Sequence, residues 1–158
     1  MSKKSVLFIC TGNVCRSPMA EGLFRQLVEE SGEDITVASA GIGAMDGAPP
    51  SANSVDAMNE EGIDISAQRS QMLIPPMVEE FTHIFGMGRG HIELIRNYFP
   101  GSVEKTFVLR EFLGDGDLDL DVPDPIGMDL EEYKRCRNLI KEAMPGILKF
   151  VISGDLEA

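Results

Sequence analysis

The stretch Val6-Leu7-Phe8-Ile9-Cys10-Thr11-Gly12-Asn13-Val14-Cys15-Arg16-Ser17-Pro18 decides the fold. Four consecutive apolar residues ending at Cys10 read as a central strand buried on both faces. The small polar residues Thr11, Gly12 and Asn13 end it. A helix then opens at Ser17-Pro18: Ser17 fits its N-cap and Pro18 its first position. Met19, Leu23 and Leu27, with Phe24 and Val28, give that helix an apolar face to about Glu30. A buried strand feeding a helix through a short polar loop is the opening unit of an α/β sheet, and ligands bind such sheets at the carboxyl ends of the strands.

The rest of the chain repeats the alternation. Ile35-Thr36-Val37-Ala38-Ser39 reads as a second strand, and residues 41–51, with Gly41, Gly43, Gly47 and Pro49-Pro50, read as a loop. A helix through Val55 and Met58 stops at Gly62, a plausible C′ residue. His83-Ile84-Phe85-Gly86-Met87 and Lys105-Thr106-Phe107-Val108-Leu109 are two further strands, separated by a helix whose Ile92, Ile95 and Phe99 share a face. The last helix opens at Asp129 with Glu132 three residues on, a capping-box-like pair. Tyr133, Cys136, Ile140, Met144, Ile147 and Val151 recur along it at helical spacing, and Pro145 predicts a kink or break. With no repeat, linker or low-complexity tract, residues 1–158 are expected to form one domain built on an open, mostly parallel four-stranded sheet.

Composition removes several classes of function. A chain of 158 residues, 43% of them hydrophobic, can bury a core without disulfide staples. Its 14 basic and 26 acidic residues give a net charge of −12, which argues against nucleic acid or an anionic membrane as partner. The apolar run of residues 6–9 is too short for a signal peptide or a membrane span. A cytoplasmic location is therefore expected, where three Cys point to thiol chemistry more than to structural disulfides.

The chemistry concentrates in the opening loop. A loop curling from a strand into a helix points successive N–H groups into one concavity, and the helix dipole adds positive potential, so a tetrahedral oxyanion is favoured there. Thr11, Gly12, Asn13, Val14, Cys15, Arg16 and Ser17 are the candidate phosphate-binding residues, with the Arg16 fork able to bind two oxygens at once. Cys10 at the floor would have its thiolate stabilised by those amides and Arg16, which makes it a nucleophile aimed at bound phosphorus.

The segment from Cys10 to Ser17 resembles the active-site loop of the low-molecular-weight protein tyrosine phosphatases: Cys, five residues, Arg, Ser. Ser39-Ala40-Gly41 and Asp124-Pro125 match that family's further motifs in order. The resemblance implies a flavodoxin-like, three-layer α/β fold, a four-stranded parallel sheet with helices on both faces. It also implies a metal-free, cofactor-free reaction through a phosphocysteine on Cys10, acting as a monomer on a phosphorylated protein. Asp124 is the general acid it selects. Residues 111–132 hold nine acidic residues and no basic one, and the others read as a solvated face. Asp115, Asp117 and Asp119 fail as a calcium loop, because Leu120 and Ile126 stand where Gly and Glu are needed. Asn13, Ser17 and Ser39 are implied to support the loop, and Cys15 to form a reversible disulfide with Cys10; packing under the loop is the alternative for Cys15. Many relatives carry a His in the segment where this chain has Gln68, whose amide is expected to replace the hydrogen bonds of that His without its titration. Cys136 reads as core, and His83 and His91 as structural or surface residues.

Phosphotyrosine is the first expectation for the substrate. The residues after Asp124-Pro125 are Ile126-Gly127-Met128, where tyrosine-specific relatives carry aromatics. Val14 has the shape of the Thr found there in the protein arginine phosphatase branch, without its hydroxyl, so phosphoarginine is the alternative. Arsenate reduction coupled to thioredoxin needs two further Cys to relay a disulfide, and outside the loop only Cys136 remains. A non-catalytic phosphoprotein-binding module is the remaining class.

Overall fold

A computed structural model describes residues 3–113 and 120–154. Strands β1 (Lys4–Cys10), β2 (Ile35–Gly41), β3 (His83–Gly86) and β4 (Thr106–Val108) form one sheet in the order β2-β1-β3-β4, with every pairing parallel. Helix α1 (Arg16–Ser31) carries the chain from β1 to β2. Helices α2 (Ala52–Asn59) and α3 (Pro75–Glu80) lie on the path to β3, which pairs with the other side of β1. Helix α4 (Arg89–Tyr98) leads to β4, and α5 (Leu130–Ser153) closes the chain. The strand order reverses between β2 and β3, so the carboxyl end of β1, at Cys10, is the topological switch point of the sheet.

Strand β1 is central and reads as its sequence requires. Val6, Phe8 and Cys10 face a core shared with Met19 and Phe24 of α1 and with Ile140 and Met144 of α5. Leu7 and Ile9 face a second core with Ile84, Ile92 and Ile95. Helices thus cover both faces, which is why the run has no polar alternation. Phe8 meets Phe24 edge-on at a centroid distance of 5.5 Å. On the other face, a Cβ on Gly86 would stand 2.8 Å from Ile92, so glycine lets α4 close on β3.

Three local expectations need correction. Helix α1 begins at Arg16, with Cys15 in the cap position, so Ser17 lies inside the first turn and is not the N-cap. Pro18 remains tolerable there because first-turn N–H groups lack intrahelical partners. Second, α5 runs unbroken through Pro145. Its buried face continues as Ile140, Met144, Ile147 and Val151, and Gly146 lies so close to the Phe112 carbonyl that a Cβ would come within 2.2 Å. Packing against the 3-10 turn Leu109–Leu113 outweighs the hydrogen bond that proline removes. Third, the regular ladder of α2 ends at Asn59, short of Gly62, although Gly62 closes the helix as the anticipated C′ residue: with φ 75° its N–H donates to the Asn59 carbonyl at 3.0 Å and the Ile63 N–H to the Met58 carbonyl at 3.1 Å. Strands β3 and β4 are also shorter than expected, while α3 and the 3-10 turn Pro100–Lys105 carry no periodicity that announces them. Asp129 caps α5 as anticipated, accepting from the Glu132 N–H. The acidic run at Asp115, Asp117 and Asp119 lies outside the described residues.

No described helix is long and apolar enough to cross a membrane.

Candidate active site

The loop from Cys10 to Arg16 is pinned to the exit of β2. Ile42 N–H donates to the Cys10 carbonyl at 3.0 Å, and Gly43 N–H to the Thr11 carbonyl at 2.9 Å. A Cβ on Gly41 would stand 2.6 Å from the Thr11 carbonyl, so this approach requires glycine. Asn13 takes φ 57°, a left-handed conformation that Asn tolerates better than most residues, and its N–H turns back onto Cys10 Sγ at 3.3 Å. No side chain caps α1. Its first-turn amides and dipole therefore stand at the loop as an anion-binding element.

Cys10 is almost fully buried, 2% exposed, at the base of this turn, and Ser17 Oγ lies 2.9 Å from its sulfur. The direction of that bond follows from its surroundings. The Gln71 backbone N–H donates to Asn13 Oδ1 at 2.9 Å, which fixes the amide orientation. Asn13 Nδ2 then donates to both Ser17 Oγ, at 2.8 Å, and Ser39 Oγ, at 2.9 Å. The Ser39 hydroxyl donates in turn to Glu21 Oε1 at 2.7 Å. Ser17 accepts from Asn13, so its hydroxyl proton is free to point at Cys10. This is the polarity a thiolate requires.

Arg16, 7% exposed, donates through Nη1 to the Val122 carbonyl at 2.9 Å, and its Nη2 stands 3.6 Å from Asp124 Oδ2. Its Nε is buried without a partner among the described residues. A buried guanidinium with an unspent N–H is a ready oxyanion ligand. Asp124 arrives on a segment hung from the end of the sheet: Val122 N–H donates to the Met87 carbonyl at 2.8 Å, and Asp124 Oδ1 accepts from Ile126 N–H at 3.1 Å. Its side chain is 43% exposed, so it can exchange protons with solvent. The large exposed side chains beside it, Ile126 and Met128, are aliphatic.

Cys15 is buried with its sulfur 3.4 Å from Tyr133 Oη and 3.7 Å from Ser51 Oγ. Burial and the contact with Cys15 push the Tyr133 phenol up to about 12. Cys10, Cys15 and Cys136 are all free thiols. Cys136 packs in the core, where burial pushes it up to about 12. Val14 is half-buried and accepts Ser51 N–H through its carbonyl at 2.8 Å. Among the described residues no group of His, Cys, Asp and Glu could hold a metal ion.

Three residues, Gln71, His91 and Glu21, enter the site that sequence reasoning did not place there. Gln68 donates to the Pro18 carbonyl, 3.2 Å away, and Gln71 supplies the network instead, by its N–H to Asn13 and its side chain to the Ser39 carbonyl at 2.9 Å. His91 was expected to be structural or at the surface, yet its Nε2 lies 3.1 Å from Thr11 Oγ1, on the loop itself. The signal for it was its place just after the carboxyl end of β3, the strand next to β1. Glu21, which holds Ser39 and also pairs with Arg25 at 2.7 Å, reads in sequence only as a polar residue of an amphipathic helix.

The comparisons with known proteins agree with this architecture. The sequence model of the low molecular weight phosphotyrosine protein phosphatases matches residues 5–154. A protein-arginine-phosphatase of Geobacillus stearothermophilus is 37% identical over 133 residues, covering 84% of this chain and 86% of the relative. The crystal structure of a low molecular weight protein tyrosine phosphatase from T. tengcongensis superposes with a TM-score of 0.86 at 36% identity, covering 93% of this chain and 99% of that one. A mutant of the YwlE arginine phosphatase with a phosphorylated serine in place of its active-site cysteine superposes at 0.87 and 30% identity, covering 94% and 96%. With its buried Cys10 at the switch point of the sheet, this chain belongs to the low molecular weight phosphotyrosine protein phosphatase family, whose members are cysteine-dependent phosphatases.

Proposed function

We propose that the chain hydrolyses phosphotyrosyl side chains of proteins through a phosphocysteine on Cys10. The observation that carries this reading is the convergence of Cys10, Arg16 and Asp124 at one end of the sheet. In the first step the Cys10 thiolate forms a bond to phosphorus as the phenolic oxygen leaves and takes the proton of Asp124. The loop amides and Arg16 hold the equatorial oxygens as charge moves through them. In the second step Asp124, now a carboxylate, takes a proton from water as the water oxygen attacks phosphorus. Cys10 departs as a thiolate toward the Ser17 hydroxyl. Asn13, Ser17 and Ser39 serve as supports of the loop, and Thr11, Gly12, Val14 and Cys15 complete its wall. On this reading residues 1–158 make up one phosphatase domain, acting as a monomer in the cytoplasm.

Phosphoarginyl side chains are the second reading. Relatives 37% and 32% identical are named protein-arginine-phosphatase, and the large exposed side chains that follow Asp124-Pro125, Ile126 and Met128, supply no aromatic ring for an aryl group to stack on. Matched phosphotyrosyl and phosphoarginyl peptides, compared by kcat/KM, separate the two. A preference for the phosphotyrosyl peptide that strengthens in Val14→Ile supports the first reading. A preference for phosphoarginine that strengthens in Val14→Thr replaces it with the second.

A further inference from the structure

His91 is the third residue of α4, and its Nε2 shares a 3.1 Å hydrogen bond with the hydroxyl of Thr11, the first residue after the nucleophile. Its Nδ1 is buried with no partner among the described residues. The charged groups facing the ring are Arg16 from α1, and Asp121 and Asp124 from the segment that carries the acid. Arg89, on its own helix, pairs with Asp121 at 3.6 Å. In the empty site a proton on His91 meets three penalties: partial burial, the like charge of Arg16, and an Nδ1–H with no acceptor. The two carboxylates offset these only in part, and the imidazole is held below its ordinary range, chiefly by desolvation. An oxyanion in the loop reverses the balance. It satisfies the charge of Arg16 and adds negative charge beside the residue that His91 touches.

We propose that His91 is a positioning residue of the phosphate loop that takes up a proton from solvent when an oxyanion occupies the loop, so that anion capture and His91 protonation reinforce each other. The neutral ring holds Thr11 in the empty enzyme. The protonated ring, an obligate donor at Nε2, makes Thr11 Oγ1 the acceptor and turns the hydroxyl proton outward. By linkage, the factor by which an anion raises the proton affinity of His91 equals the factor by which protonation tightens the anion. The inference rests on the reading of the loop as an oxyanion site.

The chain has only two histidines, so their imidazole proton resonances can be followed separately by NMR. Sulfate is the probe, because its charge is constant between pH 5 and 8. Cys10→Ser removes the thiol that would titrate beside it. Saturating sulfate should raise the titration midpoint of His91 by about one unit, equivalent to roughly tenfold tighter sulfate binding by the protonated form. His83, at the start of β3, should not move. In kinetics, sulfate inhibition should strengthen several-fold more between pH 7.5 and 5.5 in the wild type than in His91→Gln, approaching about tenfold only at lower pH. Sulfate that binds without moving the His91 midpoint overturns the inference while leaving the active site standing. If sulfate neither binds nor competes with an aryl phosphate, the oxyanion reading of the loop falls, and this inference with it.

Discussion

The guanidinium of Arg16 stands 3.6 Å from the carboxylate of Asp124, so the residue placed to bind an oxyanion and the residue placed to protonate its leaving group share one edge of the site. The pair is loose. Asp124 is nearly half-exposed, and Arg16 keeps a buried Nε without a partner, so an arriving phosphate can take the guanidinium without breaking a tight ion pair.

Replacing the nucleophile should separate binding from chemistry. Cys10→Ser keeps the loop amides, Arg16 and the Ser17 contact, and is expected to lose all detectable turnover of an aryl phosphate while binding sulfate at least as well as the wild type. Isothermal titration and steady-state kinetics on the same preparation decide it. Retained turnover would mean that the nucleophile lies elsewhere.

Asp124→Asn should discriminate between leaving groups. A general acid contributes about 10²- to 10⁴-fold where the departing oxygen needs a proton, and little where it does not. Hydrolysis of phenyl phosphate is expected to fall by about 100-fold or more, and that of dinitrophenyl phosphate by much less. Equal losses on both esters reject Asp124 as the acid.

The parts of this site that were legible in the sequence are those that one local stretch encodes. The apolar run into Cys10, the short loop and the helix after it place nucleophile, amides and Arg16 together without any knowledge of the remaining chain. What the sequence hides are partners that only the sheet brings close. Glu21 is four residues beyond Ser17 on the same helix, but its value lies in reaching Ser39 on β2. Gln71 and His91 come from segments with no chemical pattern of their own, and they meet the loop because β2 and β3 flank β1. Ser17 was misread as a cap because a Ser-Pro helix start is a strong local signal. The hydroxyl is instead drawn inward by the Cys10 sulfur. Pro145 was misread for the complementary reason: a helix break is a local expectation, and the packing of α5 is not local.

The fold should weaken on mild acidification in part through His83. Its imidazole is held below the ordinary range by burial, with Lys4 adding repulsion, so the unfolded chain binds the proton more readily. For a base depressed in the folded state, the stabilising contribution is complete above the unfolded value near 6.5 and is lost as pH falls through that value toward the folded one. The urea midpoint should therefore drop between pH 7.5 and 5.5 by more in the wild type than in His83→Gln. An identical drop in both proteins removes His83 from the account.

The relay behind Cys10 makes a prediction whose sign is informative. Ser17→Ala deletes a hydrogen bond to a charged group, worth about 1.5–3 kcal/mol, so alkylation of Cys10 by iodoacetamide at pH 6 should slow by about tenfold or more. Glu21 acts at one remove, by accepting the Ser39 hydroxyl hydrogen bond and so holding Ser39 Oγ as an acceptor for Asn13. Two effects of Glu21 oppose each other. Its negative charge, felt through the protein, disfavours the thiolate, whereas its hydrogen bond orients the groups that favour it. Glu21→Gln removes the charge and keeps an acceptor for Ser39; Glu21→Ala removes both. If orientation dominates, the Gln variant should alkylate at close to the wild-type rate and the Ala variant several-fold more slowly, with matching thermal melts showing that the fold is intact. If only charge matters, both variants should alkylate faster than the wild type, and the relay has no part in setting the reactivity of Cys10.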